Sequence, residues 1–319
     1  MKPNKDHGKE LHDYRERNEA RPSVTAMAGT TLNKTPLYTA INSARYERQN
    51  MIRRIQEMSS CRLICYVSGP AASIDRDDTV AIVDLLHNIP RGSNVDLLLN
   101  TPGGDVDAAE KLMSILRGTV GSGRLRVVVP DFAKSAGTLI ALGADAILMS
   151  DTSELGPIDP QITLNDGRGN LIRHSVQGYL DAFEFHSTVL RANPTDPVSR
   201  LMLEKIEPAT LKVFEAARER ARKFAEDQLR QGMLAAGGGE HTYTEVAHSL
   251  MDTRRWLSHG QMINWQAAQG IGLPVEYVEP GIELWQSFWQ LYLLQRLATK
   301  DRQKLFESDS ASLPLGAGD

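Results

Sequence analysis

Between residues 62 and 150, short apolar runs alternate with stretches whose apolar residues recur at helical spacing, and this alternation limits the fold more than any other feature of the chain. RLICYVSG (62–69) reads as a strand and TVAIVDLLHNI as the helix after it, with Asp77 or Asp78 available as its cap. VDLLLNTPGG (95–104) repeats the strand and ends in a glycine turn, and DVDAAEKLMSILRG is a helix expected to stop at Gly118. RLRVVVPD is a third strand, KSAGTLIALGADAI supplies a helix, AILMSD is a fourth strand, and ELGPIDPQITLNDGRG reads as a loop. Strands joined in this way require a mostly parallel sheet with right-handed crossovers, so the fold class is α/β.

The second half is helical almost throughout, from PVSRLMLEKIEP to the AAGGGE break at 235–240. TEVAHSLMD reads as a short helix, and SHGQMINWQAAQGIGLPVEYVEP as a helix ended by Gly270 or Gly272 followed by a strand. ELWQSFWQLYLLQRLATKDRQKLF (283–306) is expected to be one amphipathic helix. Its Leu284, Trp285, Phe288, Trp289, Leu291, Tyr292, Leu294 and Leu297 form a stripe broad enough to pack between subunits or to fold back on its own domain. The organisation expected is a flexible charged segment at 1–34, a single domain over 35–280, a C-terminal amphipathic helix over 281–307 and a disordered tail over 308–319.

Of the 319 residues 41% are hydrophobic and 24% charged, and the net charge is -4, which suits a globular protein and gives no electrostatic reason to expect nucleic acid or an anionic membrane as partner. The N-terminal MKPNKDHGKELHDYRERNEARP mixes both charge signs without an apolar core, so it reads as neither a secretory signal nor a membrane span, and a cytoplasmic location is expected. Cys61 and Cys65 are expected to lie on one face of the first strand as reduced core residues.

The chemistry is concentrated at two turns. NTPGGD puts two glycines at the C-terminal end of the second strand, and Ser135 lies in the loop after the third. In a parallel sheet both loops emerge at one edge, where ligands bind. A serine at a strand-to-helix junction has its hydroxyl near a positive helix end, and a glycine turn leaves backbone N–H groups unencumbered, so together they supply a nucleophile and an oxyanion hole. Gly137 leaves room for an acyl group. The plainer alternative is that Ser135 only caps its helix and TPGG is only a turn.

NTPGGD, KSAGTLIALGADAILMS and ELGPIDPQI, in that order, resemble the clan of the Clp protease and signal peptide peptidase A, and within it the serine dehydrogenase proteinase family. The resemblance covers roughly residues 35 to 280 in layout and is strongest from 95 to 162. It implies a crotonase-like fold of repeated strand-strand-helix turns and a self-assembling peptidase acting on peptides or unfolded proteins, membrane-released ones included. In that reading Ser135 is the nucleophile, the N–H groups of Gly103 and Ala136 form the oxyanion hole, and Gly104 supports the turn.

The general base is less legible. The Clp protease pattern has a histidine after the nucleophile helix, whereas this chain has none between Ser135 and His174. The signal peptide peptidase branch uses a downstream lysine, and Lys205 is the first lysine after Ser135. Such a base needs its pKa lowered by apolar burial, for which Leu201, Met202, Leu203 and Ile206 are available. Lys212 lies about two turns further on. Lys134 is expected to point away from the site as the neighbour of the nucleophile, and His174 and His186 keep a Ser-His form open. A Lys205 paired with Glu204 or Glu207 at the surface is the plain alternative.

Asp105 and Asp107 read as residues favoured at a helix start rather than metal ligands. His241, His248 and His259 lack a metal-binding arrangement in the sequence, and GGG at 237–239 lacks the context of a phosphate loop, so no metal or cofactor is expected. Two other classes remain: an acyl-CoA enzyme of the crotonase type, against which no Glu sits in the glycine turn, and an inactive relative that binds peptides or a partner.

Overall fold

Leu63 through Val67 are all buried, so β1 (Arg62–Ser68) is covered on both faces, as a central strand of an α/β sheet must be. The structure, a computed structural model, describes residues 34–165, 169–235 and 240–316, with the backbone alone at 240–242. The described residues fall into an N-terminal unit ending at Ala44 and a second unit from Arg45 onward. The first carries α1 (Pro36–Ile41), capped by Thr35, and the start of α2 (Ser43–Ser59). The expected flexible segment 1–34 lies, apart from Lys34, outside the described residues.

In the second unit β1 pairs in parallel with β2 (Val95–Asn100), β2 with β3 (Leu125–Val128), β3 with β5 (Ala146–Met149), and β5 with β9 (Val275–Tyr277). Between them run α3 (Asp78–Leu86), α4 (Val106–Val120) and α5 (Ala136–Leu142). The α/β class with a largely parallel sheet is therefore present. Alternate strand residues face two cores. One face of the sheet presents Ile64, Tyr66, Leu97, Leu99, Val127 and Ile147 to α3, α4 and α5. The other presents Leu63, Cys65, Val67, Leu98, Val128 and Leu148 to Ile52 and Ile55 of α2 and to Trp285, Phe288, Leu291 and Tyr292 of α11 (Glu283–Ala298). The broad stripe on the C-terminal helix thus folds back on its own domain. Trp289 packs partly buried at that core, and only positions such as Leu297 remain open.

Four boundaries differ from the sequence expectation. Helix α4 continues past Gly118 to Val120, because the left-handed turn falls at Gly121, whose φ is 56°. Cys61 lies just before β1 rather than within it, and both cysteines are free. The stretch read as a loop after residue 160 holds a hairpin, β7 (Gln161–Asn165) paired with β8 (Leu171–Ser175), which packs a small third core with α6 (Val176–Ala192) and α8 (Pro208–Gln231) through Val176, Leu180 and Phe214.

The largest difference is at the C-terminus. Helix α11 stops at Ala298, and the residues expected to be the end of the helix and a tail form β10 (Lys304–Glu307) and β11 (Ser312–Leu315). β10 adds antiparallel to β1 and β11 to β10, which pairs the edge that β1 would otherwise leave bare. Among the described residues no helix is long and apolar enough to cross a membrane.

Candidate active site

β2 ends at Asn100 and runs into Thr101-Pro102-Gly103-Gly104, while β3 leads through β4 (Phe132–Ala133) to Ser135. Thr101 N donates to Phe132 O at 3.0 Å and Lys134 N donates to Thr101 O at 3.0 Å, so the two turns are stitched together by main chain. The result is close apposition. A Cβ added to Gly103 would lie 2.9 Å from Ser135 Cβ, 2.7 Å from Lys134 O and 3.3 Å from Ala136 N. The expected meeting of the glycine turn with the serine is present in the geometry.

Ser135 has φ 51° and ψ -113°, a conformation that non-glycine residues rarely adopt, and its side chain makes no capping hydrogen bond to α5. Holding a serine there costs about 1–3 kcal/mol. A helix cap would instead have extended backbone and an oxygen bonded to an N–H in the first turn, which is what Asp105 provides for α4 by accepting from Ala108 N at 2.7 Å. Ser135 is half-buried, and Ala136 is buried at the first position of α5, where a helix has N–H groups without intrahelical partners.

The glycine turn is fixed from the other side by Ile74. Ile74 N donates to Gly103 O at 2.8 Å and Asp105 N donates to Ile74 O at 3.0 Å. Gly104 passes so close to Ile74 that a Cβ there would sit 2.4 Å from its N and its O. Because the 103–104 peptide is planar and trans, Gly104 N–H points away from Ile74. Gly103 N, in contrast, donates within the turn to Thr101 Oγ1 at 3.2 Å.

Lys134, expected to point away from the site, is engaged by residues 154–155 and 260–261. Its Nζ pairs with Glu154 at 3.0 Å in β6 (Glu154–Leu155) and donates to Leu155 O, Gln261 O and Gly260 O at 3.2, 3.3 and 3.4 Å. Burial pushes its pKa down, and the Glu154 carboxylate opposes that push. Four oxygen acceptors suit an ammonium that ties the nucleophile loop to residues 154–155 and 260–261.

The base candidates are dispersed. Lys205 is exposed at the C-terminal cap of α7 (Pro197–Glu204), and Leu201 and Met202 beside it are exposed at 53% and 42%, so the apolar burial expected around its amine is not provided within one chain. Lys212 is an exposed residue of α8, paired with Glu215 at 2.7 Å. His174 lies on β8 with its ring edge-on to Tyr179, and His186 Nδ1 is 3.1 Å from Ser199 Oγ. Of His241, His248 and His259, His248 borders a polar cleft with Arg222 and Asp252, and the His241 side chain lies outside the described residues.

His259 is different. Its ring is largely buried, its Nδ1 is 3.9 Å from Asp159 Oδ2 and has no hydrogen-bond partner, and it lines a cavity of about 380 Å³ with Pro157, Asp159, Ser175 and Trp256. Burial lowers its pKa below 6.5; Asp159 opposes the shift, and Arg173 and Lys134 add to it. The sequence gives no sign of this pair, since SHGQ and GPIDP are distant in the chain and are brought together by the Leu155–Ile263 main-chain bridge and the Lys134 contacts. Among the described residues no three metal-ligating side chains cluster, and Asp107 pairs with Arg220 at 3.2 Å.

Two uncharacterized proteins of Methanocaldococcus jannaschii are similar to parts of the chain. One is 41% identical over 86 residues, which are 27% of this chain and 29% of the relative; the other is 31% identical over 126 residues, 36% and 42% of the two. The chain thus matches less than half the length of either. A solved structure, the 1510-N membrane-bound stomatin-specific protease, aligns with 68% of this chain and 80% of its own at 15% identity and a TM-score of 0.38. Residues 37–172 match the model of the ClpP-like SDH-type serine proteinases. That stretch contains the glycine turn, Ser135 and α5, and over it the chain is similar to the ClpP-like SDH-type serine proteinases.

Proposed function

We propose that the protein hydrolyses peptide bonds, with Ser135 as nucleophile and residues 35–280 as the peptidase domain. The observation that carries this reading is the strained backbone of Ser135 held against Gly103, inside the matched segment. A strained turn of this kind presents a hydroxyl at a helix N-terminus instead of using it as a cap. Attack on the carbonyl moves charge onto its oxygen, which accepts hydrogen bonds from Ala136 N–H and from the glycine turn. Gly103 N–H serves there by giving up its bond to Thr101, and Gly104 N–H by its orientation away from Ile74.

The base takes the serine proton and returns it to the leaving amine. The Ser-Lys form assigns this to Lys205, which must then be desolvated by substrate or by a second copy covering the exposed Leu201 and Met202. A second reading assigns it to His259, favoured by the buried Nδ1 facing Asp159. The proposed substrates are peptides and unfolded proteins, membrane-released ones among them, and the proposed setting is a cytoplasmic homo-oligomer requiring no cofactor. Phe185, Val198, Leu201 and Met202, exposed on α6 and α7, support self-association.

Fluorophosphonate labelling followed by peptide mapping tests the nucleophile. Modification of Ser135 in the unaltered protein, absent from Ser135→Ala together with hydrolysis of a fluorogenic peptide, is the expected result. An unlabelled Ser135, or full hydrolysis by the variant, ends the reading. Lys205→Met and His259→Gln then separate the two bases: the variant whose hydrolysis drops by orders of magnitude identifies the group.

A further inference from the structure

A lysine from the C-terminal hairpin is buried directly behind the glycine turn. Lys304 is 5% exposed; its Nζ donates to Asp75 Oδ2 at 2.6 Å and to Ser73 O at 2.9 Å, and it makes an ionic contact of 2.6 Å with Asp78 Oδ1. Tyr66 Oη donates to the other oxygen of Asp78 at 2.6 Å, and Asp75 N to the same atom at 3.0 Å. The residues on either side of Ile74 are therefore held by one ammonium, and Ile74 is the residue that fixes Gly103 O and Asp105 N.

We propose that Lys304 is a positioning residue for the oxyanion turn: it acts through Ser73, Asp75 and Ile74 to set the plane of the Gly103–Gly104 peptide. The proposal rests on the peptidase reading for its kinetic consequence but not for its structural one. Attachment of the hairpin does not itself demand this cation. The β1–β10 ladder, Phe306 stacked on Tyr66 with ring centroids 4.4 Å apart, and the buried Arg48–Glu307 pair all hold β10 in place. Replacing Lys304 alone strands the buried Asp78 carboxylate, so an apolar side chain there is expected to cost stability without detaching the hairpin. What an apolar residue cannot do is hold Ser73 O and Asp75 at once. Lys304 also lies outside residues 37–172, so the glycine turn is braced here by a segment beyond the matched region.

The experiment compares Lys304→Met, Lys304→Arg and Asp75→Asn with the unaltered full-length protein. Backbone hydrogen exchange reads the positioning without reference to activity. Faster exchange of the Ile74 and Asp105 amides in Lys304→Met, with β10 and β11 unchanged, is expected; unchanged Ile74 and Asp105 amides overturn the proposal whether or not the protein is a peptidase. Kinetics read the consequence. Lys304→Met should lower kcat for a fluorogenic peptide by about tenfold or more, less than the roughly 10²–10³ of deleting an oxyanion donor, with KM within about twofold. Affinity for a peptide boronic acid, whose serine adduct fills the oxyanion hole, should fall by the same factor, while affinity for the product peptide stays constant. Lys304→Arg should recover part of both.

Equal losses in boronate and product affinity, or no recovery by arginine, show a merely structural residue and reject the proposal. Should Lys304→Met not fold, Asp75→Asn, which leaves the hairpin sequence intact, must show the same split between boronate and product binding, or the proposal fails. An unaltered protein that never labels at Ser135 fails the peptidase reading alone, and the exchange result then decides the positioning.

Discussion

A methyl group at residue 103 has no space. In Gly103→Ala the new Cβ meets Lys134 O at 2.7 Å and Ser135 Cβ at 2.9 Å, at a φ of 100° that L residues rarely adopt. Main chain cannot yield as a flexible side chain would, so the turn or the nucleophile loop must move. Fluorophosphonate labelling of Ser135 is expected to fall by about 10²-fold or more, on the order of losing an oxyanion donor, with little change in far-UV circular dichroism; labelling at the normal rate shows that the turn is not part of the site. His259 carries a pH signature of its own. Its folded pKa lies below the ordinary 6.5, chiefly through burial, so as pH falls the unfolded chain takes up the proton first. Stability is then lost as pH drops from about 6.5 through the folded value. In urea denaturation, His259→Gln should flatten that part of the stability profile; an unchanged acid limb means that other groups set it. Ser135 and the glycines were legible in sequence because a small-residue turn has a narrow range of uses. His259 and Asp159 were not, because nothing in either local sequence signals a contact made only when residues 155 and 260 are brought together.

The strands and helices from 62 to 150 were legible because both faces of each strand are buried, which makes continuous apolar runs of a kind only a covered sheet tolerates. The β7–β8 hairpin was not, since its residues are half exposed and bounded by Pro and Gly, so its pattern resembles a loop. β10–β11 failed for another reason: KDRQKLFESDSAS is charged and polar, and the charges that seem to require solvent are paired internally, Lys304 with Asp75 and Asp78, and Glu307 with Arg48. At this scale Thr138 is the informative position. Its fully buried Oγ1 lies 2.8 Å from Ala133 O and 2.9 Å from Gly156 O, to one of which it donates, and accepts from Gly156 N at 3.1 Å, fastening α5 to the strand that receives Lys134. Thr138→Val keeps the shape and leaves the Gly156 N–H buried without a partner, which costs about 1–3 kcal/mol. A lower urea midpoint for Thr138→Val, with Thr138→Ser close to the unaltered protein, is expected; equal midpoints for all three would mean that packing alone joins these elements.

Across the whole second unit, one ionic cluster joins segments from opposite ends of the chain. Glu307 of β10 is fully buried and accepts from Arg48 of α2 at 2.7 to 3.1 Å, from Gln295 of α11 at 3.0 Å and from Ser312 of β11 at 2.7 Å. Every strong donor around the carboxylate comes from a different element, so the cluster reports whether α2, α11 and the hairpin are docked together. Desolvating such a pair offsets much of its attraction, and the pair as a whole need contribute little to stability. Removing one partner is another matter, because it strands a charge. Arg48→Met should therefore destabilise the protein by about 3–5 kcal/mol, the usual result of leaving a buried charge unpaired. Combining it with Glu307→Leu should return a large part of that loss, since no buried charge then remains. The double-mutant cycle accordingly gives an interaction term opposite in sign to the Arg48→Met effect. A double variant as unstable as the sum of its single changes would show that Arg48 and Glu307 are not coupled, and that each acts through its other contacts rather than as a pair.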